Sequence, residues 1–180
     1  MNELDLIDNN NYTICFNGSL IVDNLEKKMF ESYIDENVAI KIDEFIKSND
    51  IDWTYYLEDS RLLRRDIINI NEFVTKNKIH KIVGISTPEE ISKIRNNLPE
   101  CILENLEITS SEINRIEFVN KGMTKVKAIE LVLNKLTIDK ENVVAIGDGE
   151  NAYLFWKKTI EEYTNNNCKF EDGIFLFNNK

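Results

Sequence analysis

Two polar residues late in the chain have the types and spacing of a phosphate and metal site. Asp148 follows the apolar run 143–146 and a glycine, and Asn151 comes three residues later, at the first turn of a predicted helix. Ligands of open α/β sheets bind beyond the carboxyl ends of strands, and a carboxylate there is a suitable oxygen ligand for Mg²⁺. Asn151 could reach the same phosphate or its metal-bound water. The alternative is that Asp148 only caps the following helix.

Lys125 is the third candidate residue. It falls in the first turn of another predicted helix, where the helix dipole disfavours a cation by a few tenths to about 1 kcal/mol. A phosphate bound at this helix end would reverse that unfavourable interaction. Because Lys121 and Lys127 lie close in the sequence, a solvated surface lysine is the alternative interpretation.

The elements that must position these residues follow from hydrophobic periodicity and capping signals. Asn17-Gly18 between two β-rich runs predicts a two-residue hairpin. Thr87, Pro88 and Glu90 form a predicted capping box, and Thr124 caps the helix that carries Lys125. Strands are predicted over residues 12–16, 19–23, 51–57, 78–86, 101–108, 113–119, 143–146 and 173–177. Helices are predicted over residues 37–48, 66–76, 88–98, 125–136 and 152–164.

The order of these elements predicts an α/β fold in which a small α+β unit interrupts a larger layered core. The middle of the chain alternates strands and helices, whereas its flanks have strand–helix–strand character. We therefore predict a partial Rossmann-like core made of residues 1–19 and 116–180. The inserted α+β cap subdomain takes up residues 20–115.

Composition excludes several classes of partner. A net charge of −10 would repel a nucleic-acid backbone or an anionic membrane surface. No apolar run approaches the roughly 20 residues that span a bilayer, and the N-terminus does not resemble a signal peptide. The three cysteines fit no metal-binding spacing, which favours a reduced, cytoplasmic protein.

These motifs together resemble the Cof-like sugar-phosphatase group of the haloacid dehalogenase superfamily. The spacing of 23 residues between Lys125 and Asp148 is typical of that group. The hairpin at 14–21, which resembles the opening of the family's cap, adds to the likeness. Further segments occur in family order, at 81–91, 115–118, 122–125, 143–151 and 171–174.

The resemblance implies a Mg²⁺-dependent phosphatase that acts on small phosphorylated metabolites. In that family an aspartate from Asp-x-Asp-Gly-Thr is phosphorylated by the substrate, while a lysine and metal-binding acids stabilise the phosphoryl charge. Lys125 would be the phosphate lysine, Asn151 a second phosphate contact and Asp148 the metal ligand.

The chain departs from the family pattern at the nucleophile. Asp-x-Asp-Gly-Thr is absent from the sequence, since Asp50-Ile51-Asp52 lies inside the predicted cap and Asp8 lies too near the Asn-Gly hairpin. Ala152 stands where the family usually has a second aspartate. We expect an N-terminally truncated relative with negligible turnover alone, completed by an N-terminal piece if it is half of a split enzyme.

Two functional hypotheses stay open at this point. The first is a phosphatase remnant, truncated product or component. The second is a non-catalytic relative that binds a phosphorylated ligand, or a protein partner through its cap. Neither uses the lone histidine, His80, which is predicted to be a surface residue at a strand edge. The aromatic residues Trp53, Tyr55 and Tyr56 are predicted to form part of the cap core.

Overall fold

The computed structural model describes residues 11–49, 51–143, 168–171 and 174–177. The chain divides into two compact units, Met1–Val132 and Leu133–Lys180. In the second unit, β9 (Cys168–Glu171) and β10 (Ile174–Phe177) form an antiparallel hairpin. The last predicted strand, 173–177, corresponds to β10. The predicted helix 152–164 lies outside the described residues, as does all but the first residue of the predicted strand 143–146.

The first unit contains two antiparallel sheets. A three-stranded sheet has the order β1-β2-β3, and a five-stranded sheet has the order β5-β4-β6-β8-β7. The strands of the smaller sheet are β1 (Tyr12–Cys15), β2 (Leu20–Asp23) and β3 (Lys28–Glu31). Those of the larger sheet are β4 (Asp52–Tyr56), β5 (Arg61–Leu63), β6 (Lys81–Ile85), β7 (Leu106–Thr109) and β8 (Arg115–Asn120).

Five α-helices accompany these sheets in the described part of the chain, and four of them begin with a side-chain cap. They are α1 (Glu36–Ile46), α2 (Ile70–Lys76), α3 (Pro88–Asn96), α4 (Glu100–Asn105) and α5 (Lys125–Leu136). Thr87 Oγ1 accepts a hydrogen bond from the Glu90 amide at 3.3 Å. Thr124 Oγ1 accepts one from the Lys127 amide at 3.1 Å. Both predicted N-caps are therefore confirmed.

The hydrophobic core lies between one face of the five-stranded sheet and helices α1 to α4. Side chains alternate along a strand, so Trp53 and Tyr55 of β4 and Ile116 and Phe118 of β8 point to that face. The helices contribute apolar residues to the same cluster, among them Ala39, Ile42, Ile46, Ile70, Val74, Ile91, Ile94 and Ile102. Burial of each such isoleucine contributes about 1.5–3 kcal/mol. The mixed α/β class and the core positions of Trp53 and Tyr55 are confirmed. The prediction that Tyr56 lies in the core was wrong, because strand alternation turns it to the opposite face of the sheet.

Two local predictions were wrong. The segment 101–108 is not one strand, because α4 continues to Asn105 before β7 begins at Leu106. Ile102 and Leu106 are both buried at a spacing of four, and the α4 backbone turns them towards the same core. The Asn-Gly hairpin exists, but four residues, not two, join β1 to β2, since Cys15 pairs with Leu20.

Strand β8, which precedes α5 in the sequence, is paired on both sides within the five-stranded sheet. It pairs with β6 from Arg115 to Val119 and with β7 from Glu117 to Asn120. The predicted boundary between residues 115 and 116 falls at the beginning of this strand. Residues up to 120 therefore share one sheet with the segment predicted to form the cap.

Gly84 provides a test of how the core is packed. It lies opposite Trp53 in the β4–β6 pairing, and a Cβ atom at Gly84 would lie 2.6 Å from the Trp53 ring. The Trp53 ring itself stacks on Phe118 at 5.8 Å. We expect Gly84→Ala to destabilise the protein by about 1–3 kcal/mol, because the ring cannot move without repacking the core.

Urea unfolding followed by tryptophan fluorescence measures this loss. Ile85→Thr is the matched control. Ile85 is the next residue of β6 and is 42% exposed, and the substitution keeps a β-branched side chain at this position. Equal midpoints for Gly84→Ala and the wild type would contradict the packing described here.

Candidate functional site

The face of the five-stranded sheet that the helices leave uncovered carries a cluster of polar side chains. Alternation places Tyr56, Lys81, Thr109 and Glu117 on this face, opposite to the core residues of the same strands. Glu117 pairs with Val83 on one side and with Thr109 on the other. We call this surface the polar face.

Glu117 is the centre of the cluster, and its side chain is almost fully buried, with 3% of the residue exposed. Its Oε2 accepts hydrogen bonds from Asn17 Nδ2 at 2.6 Å and from Lys81 Nζ at 3.3 Å. Its Oε1 accepts one from Ser111 Oγ at 2.6 Å. Both carboxylate oxygens therefore have donors, as a buried charge requires.

These contacts keep the Glu117 carboxylate ionised despite its burial. Burial alone would raise its pKa, because it disfavours the charged form. Hydrogen bonds from Ser111 and Asn17 and the charge of Lys81 outweigh that effect, so the pKa of Glu117 lies below its ordinary value. Lys81 also lies over the Tyr56 ring, 5.3 Å from its centre.

Asn17 brings the hairpin loop onto the polar face. Its amide donates to Thr109 Oγ1 at 3.0 Å as well as to Glu117. Asn17 has φ 57° and Phe16 has φ 50°, so two adjacent non-glycine residues are left-handed. For a bulky residue such as Phe16 this conformation costs on the order of 1–3 kcal/mol and persists where the surrounding contacts impose it, whereas asparagine adopts it more readily. We call residues 16–18 the strained loop.

At the other end of the strained loop, Gly18 packs against the first turn of α5. Its φ is 109°, and a Cβ atom there would lie 2.6 Å from the Thr124 carbonyl oxygen and 3.0 Å from Ala128 Cβ. Only glycine permits this approach, because any side chain would collide with backbone. The loop thus contacts the helix end that precedes Lys125.

Lys125 is exposed and begins α5, as predicted. The first turn of the helix contains no acidic residue, and Lys125 makes no ion pair with any residue that the structure describes. Lys125 is therefore the first residue of a helix whose first turn holds no acidic residue. This is an arrangement that favours an anion such as phosphate.

The other two predicted site residues, Asp148 and Asn151, lie outside the described residues. Within the described ranges, no group of three or more His, Cys, Asp and Glu side chains is arranged to hold a metal ion. No helix described for this chain is long and apolar enough to cross a membrane. Asp52, from the segment Asp50-Ile51-Asp52 discussed above, is exposed at the start of β4, and its Oδ1 lies 3.5 Å from Arg65 Nη1.

The prediction for His80 was wrong, because this residue is completely buried. Its ring stacks on Phe16 at 4.9 Å and lies 4.6 Å from the ring of Tyr33. Its Nδ1 lies 3.1 Å from the Ser32 carbonyl oxygen. The residues that cover it are 47 or more positions away in sequence, so local periodicity carried no sign of the burial.

A second buried carboxylate, Asp43 of α1, belongs to the core of the larger unit. It accepts hydrogen bonds from the Tyr55 hydroxyl at 3.1 Å and from Arg64 Nη2 at 2.9 Å. Lys47 lies 3.0 Å from its Oδ2. These partners satisfy the charge internally, so Asp43 stabilises the packing of α1 against β4.

Sequence reasoning missed Glu117, Lys81 and the side chain of Asn17. One signal was available for Glu117, which interrupts the apolar run of β8 between Ile116 and Phe118. An acid at the centre of such a strand has to find donors when the strand is buried. Ser111 is only six positions away, but the other two donors lie 36 and 100 positions away, and no sequence pattern joins them to Glu117.

The chain is similar to several known proteins. A family model described as haloacid dehalogenase-like hydrolase matches residues 1–153. A Streptococcus pyogenes protein, whose name gives phosphatase as an inferred activity, is 24% identical over 192 aligned positions. That alignment covers 97% of this chain and 70% of the relative.

Solved structures share the fold. A crystal structure of a protein from Thermotoga maritima has a TM-score of 0.62 at 24% identity, covering 79% of this chain and 60% of that one. A structure described as a subclass IIB sugar phosphatase of the same superfamily has a TM-score of 0.60 at 16% identity. It covers 77% of this chain and 58% of that one. The chain thus spans about three fifths of the solved structures it matches.

The burial of His80 predicts a dependence of stability on pH. Burial lowers the pKa of this imidazole below its ordinary value of 6.5, although the Ser32 carbonyl opposes the shift. The unfolded chain then binds a proton before the folded chain does, so this contribution to stability is lost as pH falls below about 6.5. We expect the wild type to lose thermal stability between pH 7 and pH 5 more steeply than His80→Phe.

Differential scanning calorimetry across that range measures the difference in slope. His80→Phe keeps an aromatic ring against Phe16 but cannot be protonated. Tyr33→Phe is the control, since it leaves the imidazole in place and should keep the wild-type slope. Parallel curves for the wild type and His80→Phe would show that His80 does not set this dependence.

Proposed function

This chain belongs to the haloacid dehalogenase-like hydrolase family, and on that premise we propose that it binds the phosphoryl group of a small phosphorylated metabolite at the first turn of α5. Lys125 is the residue that we propose contacts the phosphoryl oxygens. The chemistry would be that of a Mg²⁺-dependent phosphatase. We further propose that these 180 residues alone hydrolyse such substrates with negligible turnover.

The observation that carries this proposal is the placement of Lys125. A lysine in the first turn of a helix is disfavoured by the dipole, and an anion bound there would turn the same field into a favourable one. The helix begins with a satisfied cap at Thr124, which leaves the following amides oriented towards its N-terminal end. Family membership makes phosphate the anion that best fits this arrangement.

Asp148 and Asn151 complete the proposed site on the grounds of sequence. Asp148 is proposed as the ligand of Mg²⁺, which when bound would neutralise phosphoryl charge. Asn151 is proposed as a second contact to the phosphoryl group. A carboxylate offers the oxygen atoms that this hard cation requires, and the side-chain amide of Asn151 can donate hydrogen bonds to phosphoryl oxygens.

The proposal of negligible turnover concerns the nucleophile. The family's reaction starts with the attack of an aspartate on phosphorus, and Asp-x-Asp-Gly-Thr does not occur in these 180 residues. Loss of a nucleophile from a concerted site lowers turnover by about 10⁶. Binding can survive that loss, because the lysine and the helix end do not depend on it.

The second candidate function is a non-catalytic protein that binds a phosphorylated ligand, or a protein partner through its cap. It is favoured by the same missing motif and by Ala152, which stands where the family usually has an aspartate. The first candidate predicts phosphate release once the missing nucleophile is supplied, whereas the second predicts no phosphate release.

Phosphate binding tests the role of Lys125 directly. We expect Lys125→Gln to weaken the binding of inorganic phosphate about tenfold, because a charge-assisted hydrogen bond contributes about 1.5–3 kcal/mol. The measurement is a titration followed by amide chemical shifts, with Mg²⁺ present. Lys127→Gln is the matched control, since Lys127 is exposed two residues further along α5. Equal weakening by both variants would show that Lys125 contributes only its positive charge and makes no specific contact with phosphate.

Phosphate release tests the proposed lack of turnover. We expect the purified chain to release no phosphate above background from a panel of sugar phosphates with Mg²⁺. The measurement is a colorimetric phosphate assay, and Asp148→Asn is the control. Release that disappears in Asp148→Asn would mean that another acid acts as the nucleophile, and the proposal of negligible turnover would then be wrong.

A further inference from the structure

The strained loop lies between the polar face and the helix that carries Lys125. We propose that Asn17 and Glu117 form a latch that holds this loop against the first turn of α5, so that both are positioning residues for Lys125. The inference rests on the proposed phosphate site at α5. It adds to that site a connection with the five-stranded sheet.

The sheet side of the latch is directional and buried. Asn17 Nδ2 bridges Glu117 Oε2 at 2.6 Å and Thr109 Oγ1 at 3.0 Å, so one amide contacts both β8 and β7. Lys81 approaches the same carboxylate oxygen at 3.3 Å and brings in β6. Two neighbouring strands, β7 and β8, therefore contact this loop side chain, and β6 supports the carboxylate that it binds.

The helix side of the latch is a contact between backbones. Gly18 follows Asn17 directly, and the space beside its Cα is filled by the Thr124 carbonyl and the Ala128 side chain. The Thr124 carbonyl accepts the first hydrogen bond of α5, from the Ala128 amide at 3.0 Å. Because backbone cannot yield as a flexible side chain does, a displaced loop would disturb the turn that begins with Lys125.

The backbone conformation of the loop supports a latch over a passive turn. Phe16 has positive φ although it is neither glycine nor asparagine, and such a conformation persists only where surrounding contacts impose it. Phe16 is placed by its stacking on His80. Asn17 is placed by its hydrogen bonds to Glu117 and Thr109. Both Asn17 and Glu117 can be replaced by side chains of the same shape, Asp and Gln, so this contact can be tested by substitution.

Exchanging the polarity of the pair gives a test. Asn17→Asp places a second carboxylate against Glu117 and breaks the hydrogen bond, while an Asp tolerates the left-handed conformation as Asn does. Adding Glu117→Gln restores the bond in the opposite sense, since the amide introduced at position 117 can donate to the carboxylate introduced at position 17. The double variant also keeps one negative charge beside Lys81.

Two properties are measured for each variant. The first is the dissociation constant for inorganic phosphate with Mg²⁺ present. The second is the hydrogen-exchange protection of the Lys127 and Ala128 amides, which bond to Thr124, relative to the Ile91 amide of α3. We expect Asn17→Asp to weaken phosphate binding about fivefold and to lower protection at Lys127 and Ala128 alone. We expect the double variant to recover both properties to within about twofold.

Two further variants exclude a simple effect of charge. Asn17→Gly removes the latch side chain, changes no charge and keeps positive φ accessible, so it should weaken binding like Asn17→Asp. Asn71→Asp adds the same charge on the exposed surface of α2 and should leave both properties unchanged. Wild-type binding and protection in Asn17→Gly would overturn the latch.

The remaining outcomes separate the inference from the proposed function. A lower melting temperature in Asn17→Asp, with unchanged binding and unchanged protection in α5, would show a merely structural contact and overturn the inference. So would a double variant that fails to recover. If Lys125→Gln leaves phosphate binding unchanged, the proposed function fails, and the exchange data on α5 still decide whether the latch positions that turn.

Discussion

A carboxylate buried in a protein is tolerated only where donors surround it, and Glu117 imposes that requirement on one whole face of the larger sheet. Its donors come from a loop, from a neighbouring strand and from the turn before β8. Each donor must be brought there by a different part of the chain. Asn17 is therefore held by an interaction between groups distant in sequence, in addition to the stacking of Phe16 on His80, and Gly18 of the same loop contacts α5.

The two faces of the five-stranded sheet have different roles, since one contributes most of the apolar packing and the other carries the polar cluster around Glu117. One face is covered by four helices and packs as a continuous apolar core around Trp53, Tyr55 and Phe118. The other face carries charge, and its buried ions are held by hydrogen bonds that are individually strong but costly to break. Stability thus rests largely on the first face, which leaves the second free to hold a loop in a conformation that is unfavourable by itself.

Family membership and the placement of Lys125 are two separate findings. Membership follows from the match over residues 1–153, and the fold is shared with solved phosphatase structures. Lys125, in an N-terminal turn free of acids, is the residue of the proposed phosphate site that the described structure contains. The polar face reaches that turn through the strained loop, so the proposed site and the five-stranded sheet are physically connected.

Local signals in the sequence determined the helices with clear caps, the Asn-Gly hairpin and the position of Lys125, because Thr87, Thr124 and Gly18 act over three or four residues. They also determined the family, through motifs that keep their spacing. Only the tertiary structure decided that residues 101–108 divide into α4 and β7, that His80 is buried beneath Phe16 and Tyr33, and that Asn17 meets Glu117. For His80 and Asn17 the physical reason is distance along the chain, since these contacts join residues 47 to 100 positions apart and packing brings them together. For residues 101–108 it is the burial of Ile102 and Leu106 in one core and the pairing of β7 with β8.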